Sequence, residues 1–426
     1  MAASQVAVGQ AEVTKNPKRV AGVIISGHGF QHMYADGFLV LLDPIYQAFG
    51  LNPISAGLLQ AVRQGSSGLL SMGGGFLLDL FSGKRGILLA GSLFIMGLGY
   101  GLAAAAPNYT LLLVALALGS GAASFWHPIG LGILSYTFPK NRAFVVSLHR
   151  SSGSLGELVT PGLIALAALA LTWRGILWSG FLLITVVAVT LFVVLNRLGF
   201  TERKAVEKRS AGDQFRSMGQ LFKDRALPTL LLLSGMRGMA DRAFIAFFPL
   251  FVGQGLRAAD PDVSAERVIA VTGIYYILLA AGGVVVSPLI GHVADRVGRK
   301  PVMISVLFIT NIFLALMWWV GDLGVALGAL MFGLGTVRFA INNLTQAASL
   351  DVAEGRRLEG SMIGLLWGNN ALFGSFSPLL LGVIIVTVGS DDFGTIFPYA
   401  VVLHVLTLIT AFFLPNIGGR VKAKTA

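Results

Sequence analysis

Cysteine is absent from the 426 residues, and charged residues make up only 12% of them. The first absence excludes disulfides and thiolate metal sites. The second excludes a soluble globular enzyme, because a water-facing surface carries about one quarter charged residues. It also excludes a disordered chain. Acidic residues are the scarcer sign, with 20 Asp and Glu against 31 Lys and Arg. Prolines number 15, and the 54 glycines follow no three-residue period, so a collagen-like fibre is excluded. What fills the chain is apolar: 55% of residues are hydrophobic and the mean hydropathy is +0.78. Such a composition describes an all-α membrane protein. A helical span needs about 20 apolar residues, so twelve need roughly 240. Neither a cofactor nor enzymatic activity is expected.

Twelve apolar segments fall at about 21–49, 55–78, 86–105, 109–138, 142–171, 174–196, 227–252, 266–294, 301–320, 323–350, 358–387 and 396–415. Polar tails occupy 1–20 and 416–426. A polar linker at 197–226, with Arg203, Lys204, Lys208 and Arg209, separates two sets of six spans, 21–196 and 227–415. No small-residue cleavage site follows a short apolar core near the start, so no removable signal peptide is expected.

Lys and Arg set the orientation. The tails, linker and even-numbered loops hold 23 of the 31; the odd-numbered loops hold Arg174, Arg257 and Arg267. Both termini and the linker are therefore expected to be cytoplasmic, in a bacterial inner membrane. The net charge of +11 then reports topology rather than nucleic-acid binding. Trp173, Trp178, Trp318 and Trp319 sit near expected outer span ends, as an interfacial aromatic belt would.

The two halves repeat each other. Span two ends on Gly75-Phe-Leu-Leu-Asp79-Leu-Phe-Ser-Gly83-Lys84-Arg85, and span eight on Gly291-His-Val-Ala-Asp295-Arg296-Val-Gly298-Arg299-Lys300. Asp36 and Pro44 in span one have the same spacing as Asp241 and Pro249 in span seven. A parallel repeat of six spans is a transporter architecture.

With these strings, twelve spans and a central linker, the chain resembles the major facilitator superfamily. The Gly291–Lys300 string is similar to that family's loop signature; the first copy carries one extra residue and Leu80 in place of Arg. The resemblance implies alternating access around a central cavity, lined mainly by spans one, four, seven and ten. Spans two, five, eight and eleven would close its sides. It also implies a gating role for Gly75, Asp79, Gly291, Asp295, Arg296, Gly298 and Arg299. More narrowly, His32-Met-Tyr-Ala-Asp36, Phe125-Trp126-His127-Pro128 and the stretch Ser147–Pro161 resemble the fosmidomycin-resistance group of exporters. Arg150 stands where that group tends to have Gln, and Trp126 is inserted. Only Gly156 and Pro161 fit the family's antiporter pattern in span five.

Charge in hydrocarbon is costly, at least about 2.5–3.5 kcal/mol for an Arg, Lys or Asp at mid-span. Its placement is therefore functional evidence. Arg63, Arg150, Arg237, Arg242 and Arg338 lie inside spans, against Asp36, Glu157 and Asp241. None of spans three, six, nine and twelve holds a mid-span carboxylate or Arg, and His404 reads as a packed helix residue. The surplus is positive, and low dielectric makes it strongly felt. An anion would balance it, since Arg forks suit carboxylate, phosphonate and phosphate.

Substrate contacts are expected from Arg63, His127, Arg150, Arg338, Asn342, Trp367 and Asn370, and proton coupling from Glu157, Asp36 and His32. Arg237 and Asp241, at i and i+4, are expected to form a structural pair. His28, His32 and Asp36 share one helix face and read as a proton relay or a packed polar stripe, with a metal chelate behind both; no metal site is assigned. The expected function is secondary active, proton-coupled movement of a small anionic or zwitterionic compound by a monomer in the lipid bilayer, with export favoured. Uptake of an organic anion such as a carboxylate is the alternative, with metal-ion transport and a non-transporting receptor behind it. No Walker-type phosphate loop is present, so ATP-driven transport by this chain alone is not expected.

Overall fold

The computed structural model describes residues 16–80, 85–138, 141–197, 219, 222, 225–353, 359–389 and 392–417. The side chains of Asp36 and Asp79 and the surroundings of Gly75 lie outside the described residues, as do most of both tails and nearly all of the linker. Every regular element among the described residues is helical.

The N-terminal half comprises α1 (Pro17–Gly37), α2 (Leu42–Ala48), α3 (Pro53–Leu80), α4 (Arg85–Ala105), α5 (Tyr109–Ser124), α6 (Trp126–Thr137), α7 (Arg142–Ala167) and α8 (Trp173–Arg197). The C-terminal half comprises α9 (Ala226–Ala259), α10 (Ala265–Val297), α11 (Arg299–Val320), α12 (Val325–Ala353), α13 (Glu359–Val388) and α14 (Ile396–Phe412).

Two expected spans are broken rather than continuous. The first passes through a 3-10 turn at Phe38–Leu41 between α1 and α2. The fourth breaks at Phe125 between α5 and α6. A proline follows each break, Pro44 and Pro128. Proline has no N–H to return to the carbonyl four residues back, here those of Val40 and Ser124. Each break therefore falls where the helical ladder loses a bond.

Eight segments among the described residues are long and apolar enough to cross a membrane. Of the longer helices, α1, α3, α7 and α9 fall short of that standard. These four carry His28 and His32, Arg63, Arg150 with Glu157, and Arg237 with Asp241 and Arg242. Their polar content is what lowers them. Outward-facing Leu182, Val186, Phe412 and Trp319 are more than half exposed, which suits a lipid-facing surface. Trp173 departs from the expected aromatic belt: it is buried, with the Arg174 guanidinium 4.4 Å above its ring.

The same packing recurs in both halves. In the first, α1 lies on α7, α3 on α5, and α4 on α5 and α8. In the second, α9 lies on α13, α10 on α12, and α11 on α12 and α14. The halves meet through α3 against α13 and α7 against α10. Glycine permits these approaches. A Cβ on Gly57 would strike the Pro378 carbonyl, one on Gly382 the Pro53 carbonyl, and one on Gly273 would come within 2.9 Å of the Pro161 carbonyl.

All three contacts lie toward the end where α2 joins α3 and α9 joins α10. An ion pair seals the same end. Arg257, in the last turn of α9, donates from Nη1 to Asp43 Oδ2 at 3.0 Å and from Nη2 to Oδ1 at 2.5 Å. Asp43 is fully buried, and Gly253 leaves room for its carboxylate. Arg257 is thus helical and paired across the halves, not a loop residue as its sequence position suggested.

Removing one partner of a buried charge pair costs about 2–5 kcal/mol. Asp43→Asn should therefore shift the molecule toward separation of the halves at this end. Spin labels on cysteines introduced at exposed positions of α2 and α9 report it directly, because the chain has no native cysteine. A longer inter-label distance is expected, and an unchanged distribution would show that the pair does not hold this end.

Candidate transport cavity

The N-terminal wall of the site depends on how closely α1 approaches α7. Gly29, Gly153 and Gly156 form the contact: a Cβ on Gly153 would come within 2.6 Å of His28 and 2.8 Å of His32, and one on Gly156 would meet the Gly29 carbonyl. Ser152 Oγ closes the crossing by donating to the Ile25 carbonyl at 2.5 Å. With the helices this close, His28 and His32 of α1 lie against His149, Arg150 and Glu157 of α7. His32 Nδ1 is 2.9 Å from Glu157 Oε1. The His28 ring stacks on His149 at 3.7 Å, and His28 Nδ1 lies 2.5 Å from the His149 carbonyl. His127, at the start of α6, stands edge-on to His28 at 5.0 Å and to His32 at 5.6 Å.

His127 also reaches across the midline, with its ring 5.1 Å from Trp367 of α13. The Arg150 guanidinium sits 5.5 Å over the same indole. Trp367 thereby joins two of the expected substrate residues from the other half. Arg63 is more committed to structure. It is buried over Phe38 at 4.7 Å, with Nη1 donating to Gln60 at 2.9 Å and Nη2 to the Ala35 carbonyl at 2.6 Å.

The C-terminal wall is built around Asp241. Arg237 Nη1 donates to Asp241 Oδ2 at 2.6 Å, and its Nη2 donates to Asn342 Oδ1 at 3.2 Å. Arg338 Nε and His404 Nε2 each stand 3.5 Å from Asp241 Oδ1. One carboxylate therefore faces two guanidinium groups and an imidazole. His404 is buried as a packed residue would be, but α14 uses it to contribute to this cluster. Asn370 fixes α13 to α9 by donating to the Ser234 carbonyl at 2.8 Å.

Between the walls lies a cavity of about 550 Å³. It is large enough for a small organic molecule; ligand sites span about 300–1,000 Å³. Arg150, Arg237, Arg242 and Arg338 line it together with Glu157 and Asp241, so among the described residues its lining holds two more arginines than carboxylates. His28, His32, Asn342 and Asn370 are also on its surface, while Leu39, Pro161, Ile245 and Tyr276 lie toward the sealed end. Arg63, His127 and Trp367 line an adjoining recess of about 250 Å³ that shares Arg150 and Glu157.

The Gly291–Lys300 string lies away from this cavity. Gly298 has φ +106°, open to glycine and strained for other residues, and so turns α10 directly into α11. Arg299 then donates to Asp295 at 3.2 Å and, through Nε, to Asp351 of α12 at 2.5 Å. Arg296 is exposed, and Gly291 has open space around it. The string ties α10, α11 and α12 together within one half.

Apolar helices, two similarly packed halves and a charged cavity between them define an integral membrane transporter. The Major Facilitator Superfamily profile matches residues 24–378, and the chain belongs to that family. Solved structures agree in fold. A point mutant of the nucleoside transporter NupG aligns with a TM-score of 0.77 at 14% identity, covering 93% of this chain and 99% of its own. A bacterial homolog of the human lysosomal transporter Spinster, inward-facing and occupied, aligns at 0.70 and 14% identity, covering 93% and 95%. Its unoccupied form aligns at 0.66 and 14% identity, with 95% of each chain covered. No curated protein matches the chain in sequence.

The residues that sequence reasoning missed here are His149 and His404. Neither shares a helix with its partners, so no spacing along the chain could join them.

Breaking a buried ion pair on one side costs about 3–5 kcal/mol. Asp241→Asn should lower the melting temperature in detergent sharply. Combining it with Arg237→Gln should recover part of that loss, the remainder belonging to Arg338, which also faces Asp241. A double variant no more stable than Asp241→Asn alone would refute the pairing as a stabilising unit.

Proposed function

We propose that this transporter moves a small anionic or zwitterionic organic compound, coupled to protons, by alternating access of one central cavity. The observation that carries the reading is the excess of arginines over carboxylates among the described residues that line the cavity. Arginine held in a low-dielectric site attracts an anion strongly. A cationic compound would add to the surplus. Two moving bundles, 21–196 and 227–415, crossing the bilayer twelve times in a monomer with both termini cytoplasmic, complete the proposal. In that orientation in a bacterial inner membrane, the sealed end is the outer one. Several cavity groups are then reachable from the cytoplasmic side. The structural likeness to a nucleoside transporter supports a solute of this size and says nothing of its charge.

Coupling is assigned to Glu157 and His32, with Asp36 as a further candidate. Glu157 shares the cavity with Arg150 and touches His32, so a proton arriving here changes the charge beside the anion site. An anion on Arg150 and a proton at this pair reduce each other's electrostatic cost. That is positive linkage, and linkage is reciprocal. It favours co-transport, and uptake where protons flow inward. Export in exchange for protons is the second reading, supported by the resemblance of His32–Asp36, Phe125–Pro128 and Ser147–Pro161 to an exporter group.

Arg150→Ala and Arg338→Ala should each weaken anion binding by about tenfold or more, the loss of one charge-assisted contact of roughly 1.5–3 kcal/mol. Lys at either position should restore only part, because the planar fork is gone. Wild-type affinity in both alanine variants, measured by calorimetry, would refute the anion cavity.

Glu157→Gln should abolish accumulation driven by an imposed pH step yet preserve substrate counterflow. A Glu157→Gln protein that still builds a gradient would remove Glu157 from the coupling path. In the wild type, affinity that rises on acidification is expected for co-transport. Affinity that falls identifies exchange, and with it export.

A further inference from the structure

The histidines of the N-terminal wall have a chemistry that neither anion binding nor the Glu157–His32 contact uses. His28, His127 and His149 come from α1, α6 and α7, and one ring nitrogen from each lies within 4.8 Å of the other two. The chain has only six histidines, so half of them meet here. We propose that these three imidazoles form a site for a borderline divalent transition-metal ion of the zinc, nickel or cobalt type. The transported species would then be a complex of that metal with an organic anion. The second statement rests on the anion-cavity reading above; the first stands without it.

The local geometry supports a ligand set. His28 Nδ1 lies 2.5 Å from the His149 carbonyl, which fixes the proton on Nδ1 and leaves Nε2 as a lone-pair donor. A metal-ligating histidine is oriented in this way by a backbone carbonyl on its other ring nitrogen. His28 Nε2 is buried without a hydrogen-bond partner, and so are both ring nitrogens of His149. Three orphaned imidazole nitrogens in a membrane interior are costly unless something binds them. Metal–nitrogen bonds are about 2.0–2.1 Å long, so an ion would draw atoms at this spacing inward by rotation of the side chains. Imidazole suits zinc, copper and nickel. Glu157 is not a fourth ligand, because His32 holds it at 2.9 Å. Three imidazoles therefore leave a coordination position for another donor.

Electrostatics decides what that donor is. A divalent ion brings two further positive charges to a cavity already lined by four arginines against two carboxylates. A bare ion would be opposed by that field. An anionic chelator removes the opposition: it fills the open position and presents its remaining oxygens to Arg150, which shares Trp367 with His127. One wall takes the metal, and the arginines take the anion.

Titrating Co²⁺ into the purified full chain in detergent, followed by visible absorption, tests the site. A tetrahedral Co²⁺ band is expected, at least about tenfold weaker in affinity in His127→Gln and in His149→Gln, the loss typical of a disrupted metal site. Arg150→Gln should tighten bare Co²⁺ binding by removing an opposing charge. Melting curves confirm that each variant is folded, and either histidine variant alone suffices. No band in the wild type, or one unchanged in a folded histidine variant, would overturn the site. That leaves stacked histidines that only pack. Proteoliposomes should also take up radiolabelled Co²⁺ at least several-fold faster with citrate than without it; equal rates would overturn the complex as the carried species. The two readings fail separately. A Co²⁺ band without any anion binding sinks the anion cavity and leaves the metal site, and anion binding without a band does the reverse.

Discussion

Arginine charge gathered in a low-dielectric cavity is the constraint on which the rest of this structure depends. An isolated guanidinium inside a membrane is costly, and here Arg150, Arg237, Arg242 and Arg338 share one space with Glu157 and Asp241. The protein lowers the cost locally and leaves a remainder. Asp241 serves Arg237 and Arg338, Asn342 takes a second guanidinium proton, and Trp367 offers its π face to Arg150. The anion proposed as substrate would lower that cost further.

Holding those charges in place requires helices that approach closely. Gly29, Gly153 and Gly156 bring α1 onto α7, and this contact sets the histidines and Glu157 on one wall. Between the halves, Gly57, Gly273 and Gly382 permit backbone-level contact toward one end, where Asp43 and Arg257 add a buried pair. Small residues pack in a membrane without interdigitated side chains to untangle. The same choice gives close contact between the halves at that end. Within each half the ties are of another kind, such as Arg299 to Asp295 and Asp351, which join α10, α11 and α12.

Much of this was legible in the sequence. The apolar segments marked the helices, and the repeat of Gly291–Lys300 pointed to the family that the profile match establishes. The charged residues on spans five, seven and ten named the arginines and carboxylates that line the cavity. Pairing of Arg237 with Asp241 followed from i, i+4 spacing because both ends of that contact lie on one helix. Contacts between helices were not legible. His149 acquires its neighbours only through the glycine crossing of α1 and α7, and His404 approaches Asp241 only because α14 packs on α9. Arg257 read as a loop charge because α9 runs beyond its apolar stretch, and its partner Asp43 was missing from the count of buried charge. Trp173 read as interfacial because hydropathy reports depth in the membrane and not whether a side chain turns toward protein or lipid. The two helix breaks carried a signal, Pro44 and Pro128, but proline alone does not distinguish a kink from a break.

The central claim is that the cavity selects negative charge. The most direct test is a thermal-shift series on the purified chain with one organic scaffold bearing in turn a carboxylate, a phosphonate, a neutral amide and an amine. The account predicts that the carboxylate and phosphonate raise the melting temperature, that the amide and amine do not, and that Arg150→Ala removes the effect. Stabilisation by the amine, or equal stabilisation by all four, would contradict it.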